Sequence, residues 1–337
     1  MNDKRIRVFM AGDAVTGTGP ANVTKHYIEK LPKGTLYQKM RSKIARVPEI
    51  LIKTLRADVV VYSGYSRQNI LGMKWAMKVG RPTAYLMHGC VEYENEINLE
   101  VDDEMTLVER STLEMTDMII AVSASFEKWL KERYPEYENK IFHVTNGIDT
   151  ELFRHAKKRK KRPRKMVLSI GGGMPRKRIV KIAEAVDILR EEYDKDVYLC
   201  VIGDKGADTD AIAAHDHVQD LGIVPFDKTV QLFEEAAVFV QNSCFETFGL
   251  APIEALTCGC PILCEQNIGA LELLYGYGEG DIIKDWNDER EIAEKIKNIM
   301  EQPNAERLMS ALDAESCSWK ERSETLMRLL SKLVFAK

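Results

Sequence analysis

Short apolar runs alternate with longer amphipathic segments along the chain, and this alternation constrains the fold more than any other feature. A first series of strand-like runs comprises Ile6–Ala11, Val59–Ser63, Ala84–His88, Met118–Ser123 and Ile141–Thr145. A second series comprises Met166–Ile170, Val197–Ile202, Val238–Gln241, Pro261–Cys264 and Asp281–Ile283. Helix-like segments separate the runs near 20–31, 45–56, 67–79, 103–116 and 124–133, then near 178–193, 228–236, 248–258 and 288–301. Such alternation predicts two parallel sheets covered by helices on both faces.

The length of 337 residues agrees with two domains at roughly 100–200 residues per domain. The boundary is predicted in the basic run Lys157–Lys165, because like charges repel and favour an exposed linker or loop. We therefore expect a first domain at 1–155 and a second at 156–317. The amphipathic residues that follow, 318–337, predict a C-terminal helix that packs back on the first domain.

Composition predicts a soluble, cytoplasmic protein. Charged residues make up 30% of the chain, no apolar run approaches the roughly 20 residues of a membrane span, and the start lacks the apolar segment of a signal peptide. The net charge of −4 excludes a broadly basic nucleic-acid-binding protein. Seven cysteines include one close pair, Cys258 and Cys260, whose spacing is poor for zinc, and no zinc cluster or other metal motif is evident.

The segment that follows strand Val238–Gln241 carries the strongest chemical signal. It places Glu246 in a loop and predicts a helix that begins near Phe248 and contains Glu254. The first N–H groups of a helix have no intrahelical partner and favour an anion, and Gly249 allows a ligand to approach the backbone closely. Two carboxylates on either side of an anion site suit a nucleotide-sugar, in which a diphosphate separates the sugar from the ribose.

These residues resemble the Glu-x7-Glu signature of glycosyltransferase family 4, with Phe-Gly after the first Glu and Gly-x-Pro after the second. The resemblance implies the GT-B fold, in which two Rossmann-like domains face their parallel sheets across a central cleft. It implies that Glu246 hydrogen-bonds the donor sugar and acts in catalysis, and that Glu254 binds the ribose hydroxyls. The backbone of Phe248, Gly249 and Leu250 would then lie near the sugar and the phosphates.

Three segments, at His88, Ala121–Ser123 and Asn146, occur in the order that this family shows, and a glycine loop near the N-terminus also resembles the family. The loop that contains Gly19 and Asn22 follows the first strand and resembles the glycine loop that closes over the donor. It also carries half of a dinucleotide-binding fingerprint, but Asn22 replaces the third glycine. His88 ends a strand before a glycine, and the resemblance implies that it faces the transferred sugar. The Asn-Gly turn at Asn146 resembles the turn at the family's domain junction.

The phosphate-binding cations are expected after strand Met166–Ile170, in a glycine-rich loop followed by Arg176, Lys177 and Arg178. Such cations can neutralise charge that develops on a leaving diphosphate. The family usually has an arginine and a lysine here, and Lys177 matches the lysine. Gly172 occupies the place of the arginine, so either Arg176 or Arg178 is the candidate to replace it.

The resemblance implies metal-independent, retaining transfer of a sugar from a nucleotide-sugar, most simply a UDP-sugar, to an unidentified acceptor in polysaccharide or glycoconjugate synthesis. The donor is a substrate, and no cofactor is expected. Two alternatives stay open: a non-catalytic nucleotide-sugar-binding partner subunit, which the missing arginine favours, and a nucleotide-sugar epimerase of the same fold. A nicotinamide dehydrogenase is a more distant alternative.

The segment Lys39–Arg56 interleaves six basic residues with apolar ones. Such a stretch can lie on an anionic membrane surface, where each basic group contributes about 1 kcal/mol. It is equally typical of a helix with its apolar face on the sheet and a solvated basic face. Pro48 predicts an interruption, so the basic residues before it are expected in a loop.

Overall fold

The structure is a computed structural model that describes residues 6–16, 19–40, 42–148 and 165–336. The described residues of 1–93, 101–148 and 315–337 form one compact unit, and those of 94–100 and 149–314 form a second. The predicted linker 157–165 lies outside the described residues except for Lys165, and so does the part of the Asn-Gly turn from Asp149 onward.

The first unit contains a parallel six-stranded sheet in the order β2-β1-β3-β4-β5-β6. Its strands are β1 Val8–Gly12, β2 Leu36–Tyr37, β3 Val59–Ser63, β4 Thr83–Met87, β5 Met118–Ala121 and β6 Ile141–His143. Its helices are α1 Gly19–Lys30, α2 Lys43–Arg56, α3 Arg67–Lys78, α5 Asp103–Met115, α6 Ala124–Arg133 and α13 Trp319–Phe335. Helix α4, Val91–Asn98, begins in this unit, and its residues from Glu94 onward belong to the second.

The second unit contains another parallel six-stranded sheet, in the order β12-β11-β10-β7-β8-β9. Its strands are β7 Met166–Ile170, β8 Tyr198–Ile202, β9 Val218–Asp220, β10 Val238–Gln241, β11 Ile262–Glu265 and β12 Ile282–Ile283. Its helices are α7 Ile179–Glu192, α8 Thr209–Ala213, α9 Phe226–Glu235, α10 Ala251–Thr257, α11 Glu289–Glu301 and α12 Ala305–Ser310. Short 3-10 helices occupy Pro175–Lys177, Gly269–Leu273 and Glu279–Asp281.

Strands β3, β4 and β10 are buried along their whole length, as expected when helices cover both faces of a parallel sheet. Helix α7 shows how the sequence produces this cover: its apolar residues Ile182, Val186 and Leu189 recur at helical spacing and are all buried. The two predicted sheets are therefore confirmed. The short edge strands β2 and β9 were not predicted, because two or three residues give too little periodicity to recognise. Helices α4 and α12 were not predicted either.

Two predicted helix boundaries were wrong. Helix α10 begins at Ala251 and not near Phe248, since Gly249 has a left-handed backbone (φ 78°) that a helix cannot accommodate. Helix α2 runs unbroken from Lys43 to Arg56 with Pro48 inside it, so the helix already includes Arg46. Among the basic residues of Lys39–Arg56 that the structure describes, only Lys39 precedes the helix. Arg41 is outside the described residues.

The last helix, α13, packs against α1 in the first unit. The ring of Trp319 stacks on His26 with centroids 4.8 Å apart and meets the edge of Tyr27. Gly147 lies so close to this helix that an added Cβ would sit 2.7 Å from the Cα of Trp319. None of the described helices combines the length and the apolar character needed to cross a membrane.

Candidate functional site

In the second unit, the loop after β10 holds Glu246 against two basic side chains. One carboxylate oxygen of Glu246 accepts hydrogen bonds from Lys177 Nζ at 2.5 Å and from Gln241 Nε2 at 3.0 Å. The Nη1 of Arg176 lies 3.5 Å from the same oxygen. All three charged side chains are about one-seventh exposed, so they form one compact ionic cluster. The structure thus brings Glu246 together with two adjacent residues that lie about 70 positions earlier in the sequence.

The cluster fixes the ionisation of its members. Burial by itself would raise the pKa of Glu246, but the charges of Lys177 and Arg176 and the hydrogen bonds outweigh it, so the pKa lies below its usual value. Burial is the main reason why the pKa of Lys177 is lowered, and Glu246 opposes that shift. Glu246 is therefore an anionic acceptor at neutral pH, with its partners already in place to orient it.

Gly249 lies directly against this carboxylate. A Cβ at this position would sit 2.9 Å from Glu246 Cγ and 3.1 Å from Gln241 Nε2, in a backbone conformation that other residues rarely adopt. Phe248 is buried, and its backbone carbonyl accepts from Ala270 N at 2.7 Å. Leu250 is the residue at which α10 is capped. Phe248 therefore fixes the loop to the core, and Gly249, which has no side chain, leaves the loop backbone accessible beside Glu246.

Glu254 lies in the first turn of α10, closer to the loop than the sequence predicted. Its backbone N–H bonds to Leu250 O, and no described residue forms a hydrogen bond or an ion pair with its carboxylate. Burial raises the pKa of Glu254 to about 7. A carboxylate without a protein partner in such an environment gains most from a ligand that donates hydrogen bonds.

Gly172 cannot be replaced by an arginine in this backbone. Its φ is 55°, and an added Cβ would lie 1.9 Å from the carbonyl oxygen of Asp204. Gly203 approaches the same loop from the other side, where its own Cβ would be 2.4 Å from Gly172 N. The loops after β7 and β8 thus pack backbone to backbone, which explains the departure from the family pattern.

Of the two candidates to replace the missing arginine, only Arg176 faces Glu246. Its Nη1 donates to Phe245 O at 3.3 Å, and its Nη2 lies 3.7 Å from Glu94 of the same unit. Arg178 instead stacks on the ring of Trp286, 4.2 Å from the ring centroid. Arg178 has a left-handed backbone (φ 52°) at the start of α7, which turns its side chain onto this ring.

In the first unit, His88 directly follows β4 and hydrogen-bonds to a chain of hydroxyl groups. Its Nε2 lies 2.8 Å from Ser63 Oγ, which lies 2.6 Å from Thr24 Oγ1. Thr24 in turn donates to Pro20 O at 2.8 Å in the first turn of α1. Burial lowers the pKa of His88 to about 4, so the imidazole is neutral at physiological pH and can donate or accept.

Gly19 and Asn22 lie at the start of α1, and both are exposed. No protein atom lies within 4 Å of a Cβ built on Gly19, so packing within the protein does not require a glycine there. The preceding residues of the predicted loop, Gly17 and Thr18, are outside the described residues. The chain from His88 to Pro20 connects this helix start with the end of β4.

The sequence did not reveal the polar atoms that surround Glu246. Gln241 was counted only as the end of a strand, yet its amide positions the carboxylate. The buried Gln241 Oε1, Asn242 Oδ1 and Ser243 Oγ have no hydrogen-bond partner among the described residues. Their common signal in the sequence was a run of polar residues directly after an apolar strand, where ligands of open parallel sheets usually bind.

Solved structures with the same architecture define the class of this fold. A structure described as Anabaena Alr3699/HepE in complex with UDP and glucose matches with a TM-score of 0.69 and 14% identity, over 97% of this chain and 99% of that one. Sucrose-phosphate synthase (tll1590) from Thermosynechococcus elongatus matches with a TM-score of 0.67 and 17% identity, over 98% and 100% of the two chains. The protein has the two-domain α/β fold of the GT-B glycosyltransferases.

The sequence comparisons place the chain in a family. The family described as glycosyl transferases group 1 matches residues 151–312, and the one described as Glycosyltransferase Family 4 matches residues 3–152. A relative over most of the chain is the D-inositol 3-phosphate glycosyltransferase of Paenarthrobacter aurescens (strain TC1), 23% identical over 91% of this chain and 82% of its own. The chain belongs to glycosyltransferase family 4 and is a glycosyltransferase.

Proposed function

We propose that the protein transfers a sugar from a UDP-sugar to an acceptor with retention of anomeric configuration, without a metal ion in the reaction. The observation that carries the proposal is the cluster of Glu246, Lys177 and Arg176 beside Gly249, with the unpartnered Glu254 a short distance along the chain. The choice of uridine is supported by the UDP present in the structure of HepE.

In the proposed complex, Glu246 accepts hydrogen bonds from hydroxyls of the donor sugar. Its two cationic partners are then positioned for the diphosphate, where negative charge increases as the glycosidic bond breaks. Lys177 and Arg176 stabilise that charge more in the transition state than in the ground state, which is the condition for faster transfer. The leaving phosphate takes the proton of the acceptor hydroxyl, so no side chain has to act as a nucleophile.

His88 of the first unit is proposed to contact the transferred sugar as a neutral imidazole, held by Ser63. Glu254 is proposed to accept from the two ribose hydroxyls. The start of α1, with Gly19 and Asn22, is proposed to close over the phosphates. Phe248, Gly249 and Leu250 are proposed to contribute backbone contacts to the sugar and the phosphates.

The geometry of Gly172 weakens the case for a non-catalytic partner subunit. That alternative relied on a missing arginine, but the close backbone packing at Gly172 requires a glycine, and Arg176 supplies a cation beside Glu246. An epimerase of the same fold would use the same donor groups, so only the product distinguishes it.

Thermal-shift screening against UDP-, GDP- and ADP-sugars, followed by product analysis, tests the proposal. A ligand at 100 times its Kd stabilises the folded state by about 2.7 kcal/mol, which is easily detected. We expect a UDP-sugar to raise the Tm most, and to be hydrolysed slowly to UDP and free sugar in the presence of EDTA. Release of the same anomer as in the donor supports retention. Stabilisation without turnover, or conversion to an epimeric nucleotide-sugar, would refute the transferase.

We also propose that the protein works in the cytoplasm and attaches to anionic membranes through α2. On this helix Ile44, Ile52 and Leu55 are at least half exposed, although a helix that only covers a sheet would bury them. A groove of about 610 Å³ is lined by Ile52 and other apolar side chains, by the basic residues Lys39, Lys53 and Arg56, and by Glu49, which pairs with Lys53. Co-sedimentation with anionic vesicles should succeed at low salt and fail at high salt or with neutral vesicles.

A further inference from the structure

Three potential metal ligands meet in the second unit, outside the loops described above. Asp187 lies on α7, and His215 and His217 lie in the turn between α8 and β9. One oxygen of Asp187 lies 2.6 Å from His215 Nδ1, and the other lies 3.0 Å from His217 Nε2. The three ligand atoms all lie within 4.8 Å of one another.

The buried imidazole of His217 has one charged neighbour, Asp187, but its ring nitrogens lack well-formed hydrogen bonds. Its side chain is fully shielded from solvent, and neither ring nitrogen makes a hydrogen bond with a described residue. The approach of Nε2 to Asp187 has the distance of an ion pair, but it does not have hydrogen-bond geometry. Because an unsatisfied buried polar atom is costly, an ion at this position would account for the arrangement.

We infer that Asp187, His215 and His217 bind one divalent transition-metal ion, with zinc the best match, and leave a coordination position open to water. Two imidazoles and one carboxylate are ligands that zinc accepts. Around an ion with ligand distances of about 2 Å, neighbouring donor atoms lie about 3 Å apart. The 3.0 Å between His217 Nε2 and one oxygen of Asp187 satisfies this condition. His215 Nδ1 is hydrogen-bonded to the other oxygen, and this side chain, in a partly exposed turn, would move to the ion on binding.

The surroundings of the cluster leave it open to an ion. The carboxylate of Asp187 is 43% exposed, so an ion can enter from solvent. The histidines are separated by one residue, but Asp187 is distant in sequence, and spacing alone could not reveal the group.

The position in the sheet indicates what the ion would do. His217 immediately precedes β9, and its carbonyl accepts from Leu199 N at the start of β8. The group therefore lies at the amino-terminal edge of the sheet, whereas the loops that hold Lys177 and Glu246 follow the carboxyl ends of β7 and β10. A bound ion would fasten α7 to the edge strand β9 and stabilise this unit, without taking part in the proposed transfer.

Titration of the chelator-treated, full-length protein with Zn²⁺ tests the inference. We expect one high-affinity site per chain, a rise in Tm on binding, and at least tenfold weaker binding in Asp187→Ala and His215→Ala. Both replaced side chains are partly exposed, so the variants should fold, which circular dichroism checks. His143→Ala is the matched control: His143 also pairs with a carboxylate, Glu127, but lacks a third ligand among the described residues, and it should bind zinc like the unmodified protein.

Cobalt provides an independent measurement, because cysteines can also bind zinc. The Co²⁺ complex should show ligand-field absorption without a thiolate charge-transfer band, and the absorption should disappear in His215→Ala. Absence of stoichiometric Zn²⁺ binding, equal affinity in all the variants, or a thiolate band would each overturn the inference.

Discussion

At the scale of single residues, the two glutamates of the candidate site have opposite electrostatic environments. Glu246 is held ionised by Lys177 and Arg176, whereas burial raises the pKa of the unpartnered Glu254 to about 7. The first is thus organised before any ligand arrives. The ionisation state of Glu254 can change when a ligand with hydroxyl groups binds.

The raised pKa makes nucleotide binding depend on pH. The ionised form of Glu254 accepts hydrogen bonds from ribose hydroxyls, and below about pH 7 the protonated carboxyl group must first lose its proton. The affinity for UDP should therefore fall as the pH decreases from 7 to 5, by up to about tenfold per unit. In Glu254→Gln this dependence should disappear, and the affinity at pH 8 should be lower by roughly 1.5–3 kcal/mol.

Calorimetric titration with UDP at several pH values measures both effects. Glu265→Gln is the control, since burial also raises the pKa of Glu265 to about 7, but Asn267 already donates to its carboxylate. This variant should keep the original pH profile. An unchanged profile in Glu254→Gln would show that Glu254 does not bind the ribose.

Glu246 and Lys177 should separate sugar recognition from phosphate recognition. Glu246→Ala should abolish most of the transfer but leave UDP affinity within a fewfold, because its carboxylate is assigned to the sugar. Lys177→Ala should weaken UDP binding more than UMP binding, because the second phosphate is its proposed partner. Steady-state rates and calorimetric affinities for the two nucleotides test both expectations. Wild-type turnover in Glu246→Ala, or equal losses for UMP and UDP in Lys177→Ala, would refute these assignments.

Arg176 and Arg178 are the two candidates to replace the arginine of the family pattern, and matched alanine variants can compare them. Arg176→Ala should lower kcat by at least about tenfold, because it removes a cation that lies 3.5 Å from Glu246. Arg178→Ala should affect kcat much less, since Arg178 stacks on Trp286 and forms part of the support of the loop. Initial rates with a saturating UDP-sugar decide the question. The opposite ranking would assign the replacement role to Arg178.

At the scale of secondary-structure elements, the close packing of the loops after β7 and β8 restricts which residues are tolerated at their glycine positions. Gly172→Ala combines a left-handed backbone with a Cβ that overlaps Asp204 O, so we expect a loss of roughly 2–5 kcal/mol in the free energy of unfolding. Gly222→Ala is the control, because its φ of 63° is similar but nothing lies within 4 Å of its Cβ. It should lose about 1–2 kcal/mol, and urea unfolding measures both. Equal losses would mean that the loop at Gly172 relaxes and could hold a side chain.

Helix α2 is the element that should mediate membrane binding. Replacing both Ile44 and Leu55 with Ser should weaken binding to anionic vesicles by at least about tenfold, because it removes exposed apolar contacts. The control replaces Leu71 and Leu107, which lie on α3 and α5 and are also at least half exposed, with Ser. Similar co-sedimentation of the two double variants would exclude α2 as the contact surface.

The sequence predicted these elements unequally, for physical reasons. Buried strands such as Val59–Ser63 and Met166–Ile170 were predicted with their correct bounds, because a short apolar run between polar turns is a strong signal. The start of α10 was misplaced, since it depends on the backbone angle of Gly249, which no pattern of side chains encodes. The pairing of Glu246 with Lys177 and Arg176 depends on how β7 and β10 lie side by side, so it also required the structure.

At the scale of the whole molecule, the described residues form two compact units, and the last helix belongs to the first of them. The chain therefore enters the second unit and returns to complete the first. Each unit has its own buried aromatic anchor: Trp319 of α13 packs on His26 and Tyr27, and Phe233 of α9 packs edge-to-face on Phe239.

Because the charged groups proposed to bind the ribose and the diphosphate all belong to the second unit, UDP should stabilise that unit more than the first. Calorimetric melting should show two transitions, of which UDP raises one. Phe233→Ala should lower the transition that UDP raises, and Trp319→Ala should lower the other, each through a loss of about 3–5 kcal/mol from a buried aromatic side chain. Each variant serves as the control for the other, since both remove a comparable anchor. A Trp319→Ala variant that lowers the UDP-sensitive transition as strongly as Phe233→Ala does would show that α13 stabilises the two units jointly.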